Sequence, residues 1–286
     1  MLSRWNVPGI GYSYARRKYN LYNAELSKHL WAGVAAIDTT KHLLGQINPP
    51  AESYSLVIEN RAHRHRLDDI TAERWNNDVK GFRTWTTHSF VMALSANFEI
   101  YLKRIVYLSL QSDPGARFSM PKAIDGAIPL LNQPSYDYDN DVESVVKGNW
   151  TQRVSAYRQL FDGVPPILNA TIAELDKFRN TRNACGHVFA RDESHKNFEL
   201  YHGLKPLSVD RVIKWMDMVG EIVRAVDNHL FNEHIGMYEL ISIYNSMQCT
   251  ADEFEKKLRN AGYIVGISVC REIDEFVHSH TATQLQ

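Results

Sequence analysis

Apolar residues recur at three- and four-residue steps along several long stretches of this chain. That period leaves little choice but helices that each bury one face. In the clearest stretch, roughly residues 85–110, Phe90, Leu94, Phe98, Tyr101, Leu102, Ile105 and Leu108 form one stripe. A second stripe begins near Ser208 and holds Val212, Trp215, Met216, Val219, Ile222, Val223, Val226 and Leu230. Ser208 is placed to cap its first turn, and Asp210 suits the positive end of the helix dipole. Leu26, Leu30, Val34, Ile37 and Leu44 mark a further helix between Asn23 and Leu44, closed by Pro49-Pro50. One helix is expected over 142–161, with Val145, Val146, Trp150, Val154, Tyr157 and Leu160 inward. After the break at Asp162-Gly163 and Pro165-Pro166 another spans 167–189, with Ile167, Leu168, Ile172, Leu175 and Phe178 inward. Gln133 to Asp141 reads as a solvated loop.

Two short runs favour strands instead. Ser53–Ile58 is one. Tyr263–Val269 is the other, following a capping-box pattern at Thr250-Ala-Asp-Glu253 and a short helix with Phe254 and Leu258. Pairing of the two would cover one end of the bundle. The expected architecture is mainly α, a helical bundle with small β additions from the N- and C-terminal flanks. It divides into a flank over residues 1–80, a helical core over 81–235 and a small α/β extension over 236–286.

Charge and cysteine usage narrow the setting. The 286 residues carry 32 Lys+Arg against 33 Asp+Glu, a formal net charge of -1. Holding nucleic acid by bulk charge is therefore not expected, although a local basic cleft stays open. Cys185, Cys249 and Cys270 are far apart and form no CxxC pair, which argues against a zinc ribbon or a disulfide framework and for a reducing compartment. The N-terminus lacks the apolar core of a secretory signal, and no apolar run approaches the ~20 residues that span a bilayer. A cytoplasmic protein with no membrane contact is the expectation. His195 and His202, near Asp192 and Glu193, match no metal-site spacing, and no GxSxG, HExxH or Walker sequence occurs. Neither a metal nor a cofactor is expected. The patch Arg61, His63, Arg64, His65 and Arg66 could track a phosphate backbone, but a solvated loop explains it as simply.

The stretch with the most chemistry is Leu175-Asp-Lys-Phe178-Arg179-Asn180-Thr-Arg182-Asn183-Ala-Cys-Gly-His187. Cleaving RNA through its own 2′-hydroxyl needs proton transfer and neutralisation of a pentacoordinate phosphorane. A histidine, with an ordinary pKa of about 6.5, suits the first. Arginine grips phosphate through a planar, permanently charged fork. Asparagine orients either group by hydrogen bonds. On an ideal helix Arg182 and His187 lie ~140° apart, while Arg179, Asn183 and His187 share one side. Either Arg182 wraps around, or the helix deforms near Gly186, or the site is shared across a dimer. Cys185 lies ~200° from His187, poorly placed for a Cys–His nucleophile pair, and reads as a packed thiol.

This stretch resembles the Arg-x4–6-His motif of the HEPN superfamily, helical-bundle ribonucleases of toxin–antitoxin and antiviral systems. The surrounding order is similar over roughly residues 82–232. A helix bearing Glu99 comes first and a second helix ends in Leu160-Phe161. A third leads through Leu175 and Phe178 into Arg182-Asn183, and a long helix follows. The resemblance implies a metal-independent endoribonuclease that leaves 2′,3′-cyclic phosphate and 5′-hydroxyl ends. In that reading His187 is the general acid/base, Arg182 the phosphate clamp and Asn183 the residue that positions phosphate or His187. Glu99 orients Arg182, and Lys103 and Arg179 meet the RNA. The resemblance also implies a homodimer with a composite cleft, and a regulatory protein partner, an antitoxin or a sensor. On the residues alone, Glu99 and Lys103 are equally an ordinary i, i+4 pair worth ~0.3–0.5 kcal/mol. The same bundle could also be a non-catalytic binding or scaffold module.

Overall fold

The structure is a computed structural model. It describes residues 4–5, 11–46, 71–132, 136–188, 205–247, 249–261, 263 and 265–281, and of Pro129, Asn132, His187, Val188 and Thr281 only the backbone. The described residues are mainly helical and contain no β-strand. In chain order the helices are α1 (Tyr14–Gly45), α2 (Ala72–Ser112), α3 (Ala127–Asn132), α4 (Asp139–Val146), α5 (Trp150–Phe161), α6 (Pro166–Ala170), α7 (Ile172–Val188), α8 (Val209–Leu230), α9 (Tyr238–Met247), α10 (Ala251–Asn260) and α11 (Ile267–Thr281). A 3-10 turn, Pro114–Phe118, follows α2, and a π turn, Phe231–Ile235, follows α8.

The expected stripes face inward. Phe90, Leu94, Phe98, Tyr101, Leu102 and Ile105 of α2 are buried, as are all eight apolar residues named on α8. Ser208 caps α8 by accepting the Arg211 N–H at 3.2 Å. Thr250 and Glu253 complete their capping box ahead of α10. Four expectations need correction. Tyr263–Val269 is not a strand: Ile267 opens α11, whose Val269, Cys270, Ile273 and Val277 recur at helical steps and are buried. Burial of that face overrides the local preference of β-branched residues for extended backbone. The helix expected over 142–161 is two helices, because Gly148 turns at φ 91° and Asn149 starts a new capping box with Gln152. The helix expected over 167–189 is likewise divided at Thr171, into α6 and α7. The stretch Gln133 to Asp141 is not wholly solvated, since Tyr138 is buried and α4 begins at Asp139. Ser53–Ile58 lies outside the described residues.

The chain divides into two compact units. The first comprises Met1–Asn20, Phe98–Asp176 and Met218–Gln286; the second comprises Leu21–Asn97 and Lys177–Asp217. In the first unit α3, α9, α10 and α11 enclose a core that includes Ile241, Tyr244, Phe254, Leu258, Cys270 and Ile273. Each fully buried large apolar side chain there contributes about 1.5–3 kcal/mol. Phe98 stacks on Trp150 at 5.6 Å between ring centroids, and the Tyr101 hydroxyl donates to the Val223 carbonyl at 3.0 Å. Buried Arg4 ties three segments together: it pairs with Asp125 at 2.7 Å and donates to the carbonyls of Ser112 (2.9 Å) and Ile235 (3.2 Å). Gly236 permits this approach: its φ is 53°, and a Cβ there would stand 2.4 Å from the Arg4 carbonyl oxygen. The second unit holds a smaller cluster of Ile37, Leu44, Ala72 and Val79 against Trp75.

The start of α1 shows how a helix end is satisfied by distant residues. Its leading N–H groups have no intrahelical acceptor. The Ser13 N–H donates to Asp227 at 3.1 Å, and the Tyr14 N–H donates to Glu239 at 3.0 and 3.2 Å. The Ser13 hydroxyl also donates to Asp227. Burial raises the Asp227 carboxyl above its ordinary range, opposed by the Ser13 hydrogen bonds and by Arg16. Removal from water, with the nearby Asp227 charge adding and the Tyr14 N–H opposing, pushes half-buried Glu239 up to about 7. The folded chain therefore holds these protons more tightly than the unfolded one. Their contribution to stability is full below the unfolded values of about 4 and is lost as pH rises through the raised folded values, which for Glu239 is about 7. Urea unfolding of the wild type should lose stability between pH 4.5 and pH 7 relative to the Asp227→Asn, Glu239→Gln double variant. Parallel pH profiles for the two proteins would contradict this.

Candidate functional site

The rotation of α7 is set by its buried side chains. Leu175, Phe178 and Cys185 are 2% exposed or less, and Phe178 packs against Trp215 with ring centroids 5.4 Å apart. At ~100° per residue, Arg182 falls ~40° from Phe178 and ~20° from Leu175, in line with the buried face and one turn beyond Phe178. Arg179 and Asn183 follow on the same side, and the His187 position comes next, ~40° beyond Asn183. Arg179, Arg182 and Asn183 are all half-buried. The Arg182 Nη1 donates to the Asn183 Oδ1 at 3.1 Å. Asn183 therefore occupies the angular gap between Arg182 and His187 and already engages the arginine.

The helix runs unbroken through Gly186 to Val188, so no deformation near Gly186 brings Arg182 and His187 onto one line. His187 has a described backbone position on the last turn, and its side chain lies outside the described atoms. Of the six residues singled out from the sequence, Arg179, Arg182, Asn183 and His187 belong to the second unit. Glu99 and Lys103 stand one turn apart on α2 within the first unit, Glu99 half-buried and Lys103 exposed. Burial pushes the Cys185 thiol up to about 11, the opposite of what a nucleophilic thiolate requires. The patch Arg61–Arg66 and the loop residues Arg191, Asp192, Glu193, His195 and His202 lie outside the described residues.

Sequence reading missed one feature of the second unit. A cavity of about 600 Å³ is lined by Lys41, Lys80, Arg83, Thr84, Ser208 and Arg211. These residues come from α1, α2 and the start of α8, so no sequence spacing links them. The one local sign was Lys80 and Arg83 at i, i+3 on α2. Among the described residues no group of His, Cys, Asp or Glu side chains is arranged to hold a metal ion. None of the described helices is long and apolar enough to cross a membrane. No family model, curated protein or solved structure matches the chain.

The three thiols differ in access. Cys185 and Cys270 are buried and both thiols are raised to about 11, whereas Cys249 is half-buried. A maleimide at pH 7.5 should label one thiol per folded chain quickly, and Cys249→Ser should abolish that fast reaction. Fast labelling of Cys185 in the folded protein would contradict the packing of α7.

Proposed function

We propose that this chain is a metal-independent endoribonuclease with a HEPN-like helical core. The observation that carries the reading lies on α7. There Arg182 and its hydrogen-bonded Asn183 are half-buried, on the helix whose last turn holds His187. A half-buried guanidinium is partly withdrawn from water, where its field acts on a bound phosphate more strongly than in bulk solvent.

In this reading His187 takes the proton of the 2′-hydroxyl as that oxygen attacks the adjacent phosphorus. The 5′-oxygen leaves with a proton returned by the imidazolium that His187 has become, giving a 2′,3′-cyclic phosphate and a 5′-hydroxyl. Arg182 neutralises the phosphorane. Asn183 holds Arg182 in place and orients phosphate or the imidazole. Glu99 is assigned to support Arg182, and Lys103 and Arg179 to contact RNA. The ~140° between Arg182 and His187 on an unbroken helix favours a cleft completed by a second copy of the chain, so a homodimer belongs to the proposal. So do cytoplasmic action, restraint by an antitoxin or sensor protein, and a toxin or antiphage role, all of which rest on the family resemblance.

The second reading is a non-catalytic binding or scaffold module. Its support is the Arg182–Asn183 hydrogen bond itself, which also serves an arginine that only satisfies a neighbour. The two readings separate on RNA cleavage by the full chain freed of any bound partner. Arg182→Ala and His187→Ala, each with wild-type circular dichroism, should cut at least ~100-fold more slowly than wild type, the usual cost of removing a charge stabiliser or a general acid/base. Cleavage by both variants at the wild-type rate would overturn the assignment. Absence of cutting by the wild type would favour the scaffold.

A further inference from the structure

We infer that the cavity between Lys41, Lys80, Arg83, Thr84, Ser208 and Arg211 is a phosphate-binding subsite that takes the backbone of single-stranded RNA. Four cationic side chains from three helices face one space of about 600 Å³, and no carboxylate lines it among the described residues. Arg83 also pairs with Asp38 at 3.1 Å. Lys80 donates to a neutral partner, Asn77, at 3.4 Å. Arg211 is steadied over the Trp215 ring, 5.8 Å from its centroid, so its charge is held in place. Ser208 stands at the start of α8, whose positive dipole end adds to the same field.

The lining chemistry selects the ligand. Arginine forks, lysine ammonium groups and two hydroxyls suit phosphate oxygens. Among the described residues no aromatic ring lines the cavity on which a base could stack, so contact falls on the backbone and carries no sequence preference. The cavity also lies in the same unit as the α7 motif. A Cβ added at Gly186, the residue before His187, would stand 3.8 Å from Met92 Cε on α2. Thr84 lies eight residues earlier on α2, ~12 Å along the helix axis. A short stretch of strand covers that length. That the phosphates belong to RNA rests on the ribonuclease reading; that the cavity takes phosphates does not.

The test is binding of a 2′-O-methyl single-stranded RNA, which the proposed chemistry does not cleave, by fluorescence anisotropy across salt concentrations. Lys80 and Arg211 are exposed, so Lys80→Gln with Arg211→Gln removes charge without opening the core. The double variant should bind at least about tenfold more weakly at low salt. Its log–log salt slope should be shallower by about 1.4, at about 0.7 per phosphate contact on a single strand. Lys80→Arg with Arg211→Lys should restore both. Unchanged affinity and slope in a folded double variant would overturn the inference, as would equal displacement of the RNA by polyglutamate. Because the probe is not cut, these results are independent of catalysis. Loss of binding in the double variant with no cleavage by the wild type leaves this site standing and removes the ribonuclease reading. Normal cleavage with no effect of the double variant on binding does the reverse.

Discussion

One geometric constraint governs the chemistry proposed for this chain: α7 can bury only one face. Leu175, Phe178 and Cys185 take that face. Their burial, at about 1.5–3 kcal/mol for each large side chain, fixes the rotation of the helix. Once that rotation is set, Arg182 falls in line with the buried face, Asn183 ~100° outward and His187 ~40° beyond Asn183. Core packing therefore sets how far each of these polar residues is turned from the interior. No rotation of α7 changes the ~140° between Arg182 and His187, because both belong to the same unbroken helix.

Most of the helical framework was legible because a buried stripe leaves a period of three and four that needs no tertiary knowledge to read. The stripes of α2 and α8, the Ser208 cap and the Thr250–Glu253 box all follow from local sequence. The misreadings came where local preference and packing disagree. Ile267–Val269 is β-branched at two of three positions, yet it begins a helix because Val269, Cys270, Ile273 and Val277 complete a core that the local run does not reveal. The division at Gly148 was hidden by the apolar pattern, which continues from Val146 to Trp150 across the turn.

The candidate site was legible in part. The motif residues on α7 all fall between Arg179 and His187, so their sequence pattern carries their relation. The basic cavity is assembled from positions as distant as Lys41 and Arg211, and only the folded second unit brings them together. The two carboxyls that meet the start of α1, Asp227 and Glu239, escaped notice for the same reason, since Ser13 and Asp227 are 214 residues apart.

The near-neutral balance of 32 Lys+Arg and 33 Asp+Glu takes on a specific meaning in this light. Four cationic side chains are gathered in one cavity of a chain whose total charge is close to zero, which suits a local grip on one strand better than a broad coating. In the proposed reaction the RNA's own 2′-hydroxyl is the nucleophile at the α7 motif. The most direct measurement is mass spectrometry of the fragments released from a single-stranded RNA by the full chain in excess chelator. Fragments ending in 2′,3′-cyclic phosphate and beginning with 5′-hydroxyl are predicted. Fragments with 3′-hydroxyl and 5′-phosphate ends would mean that water attacks instead, and would contradict the account.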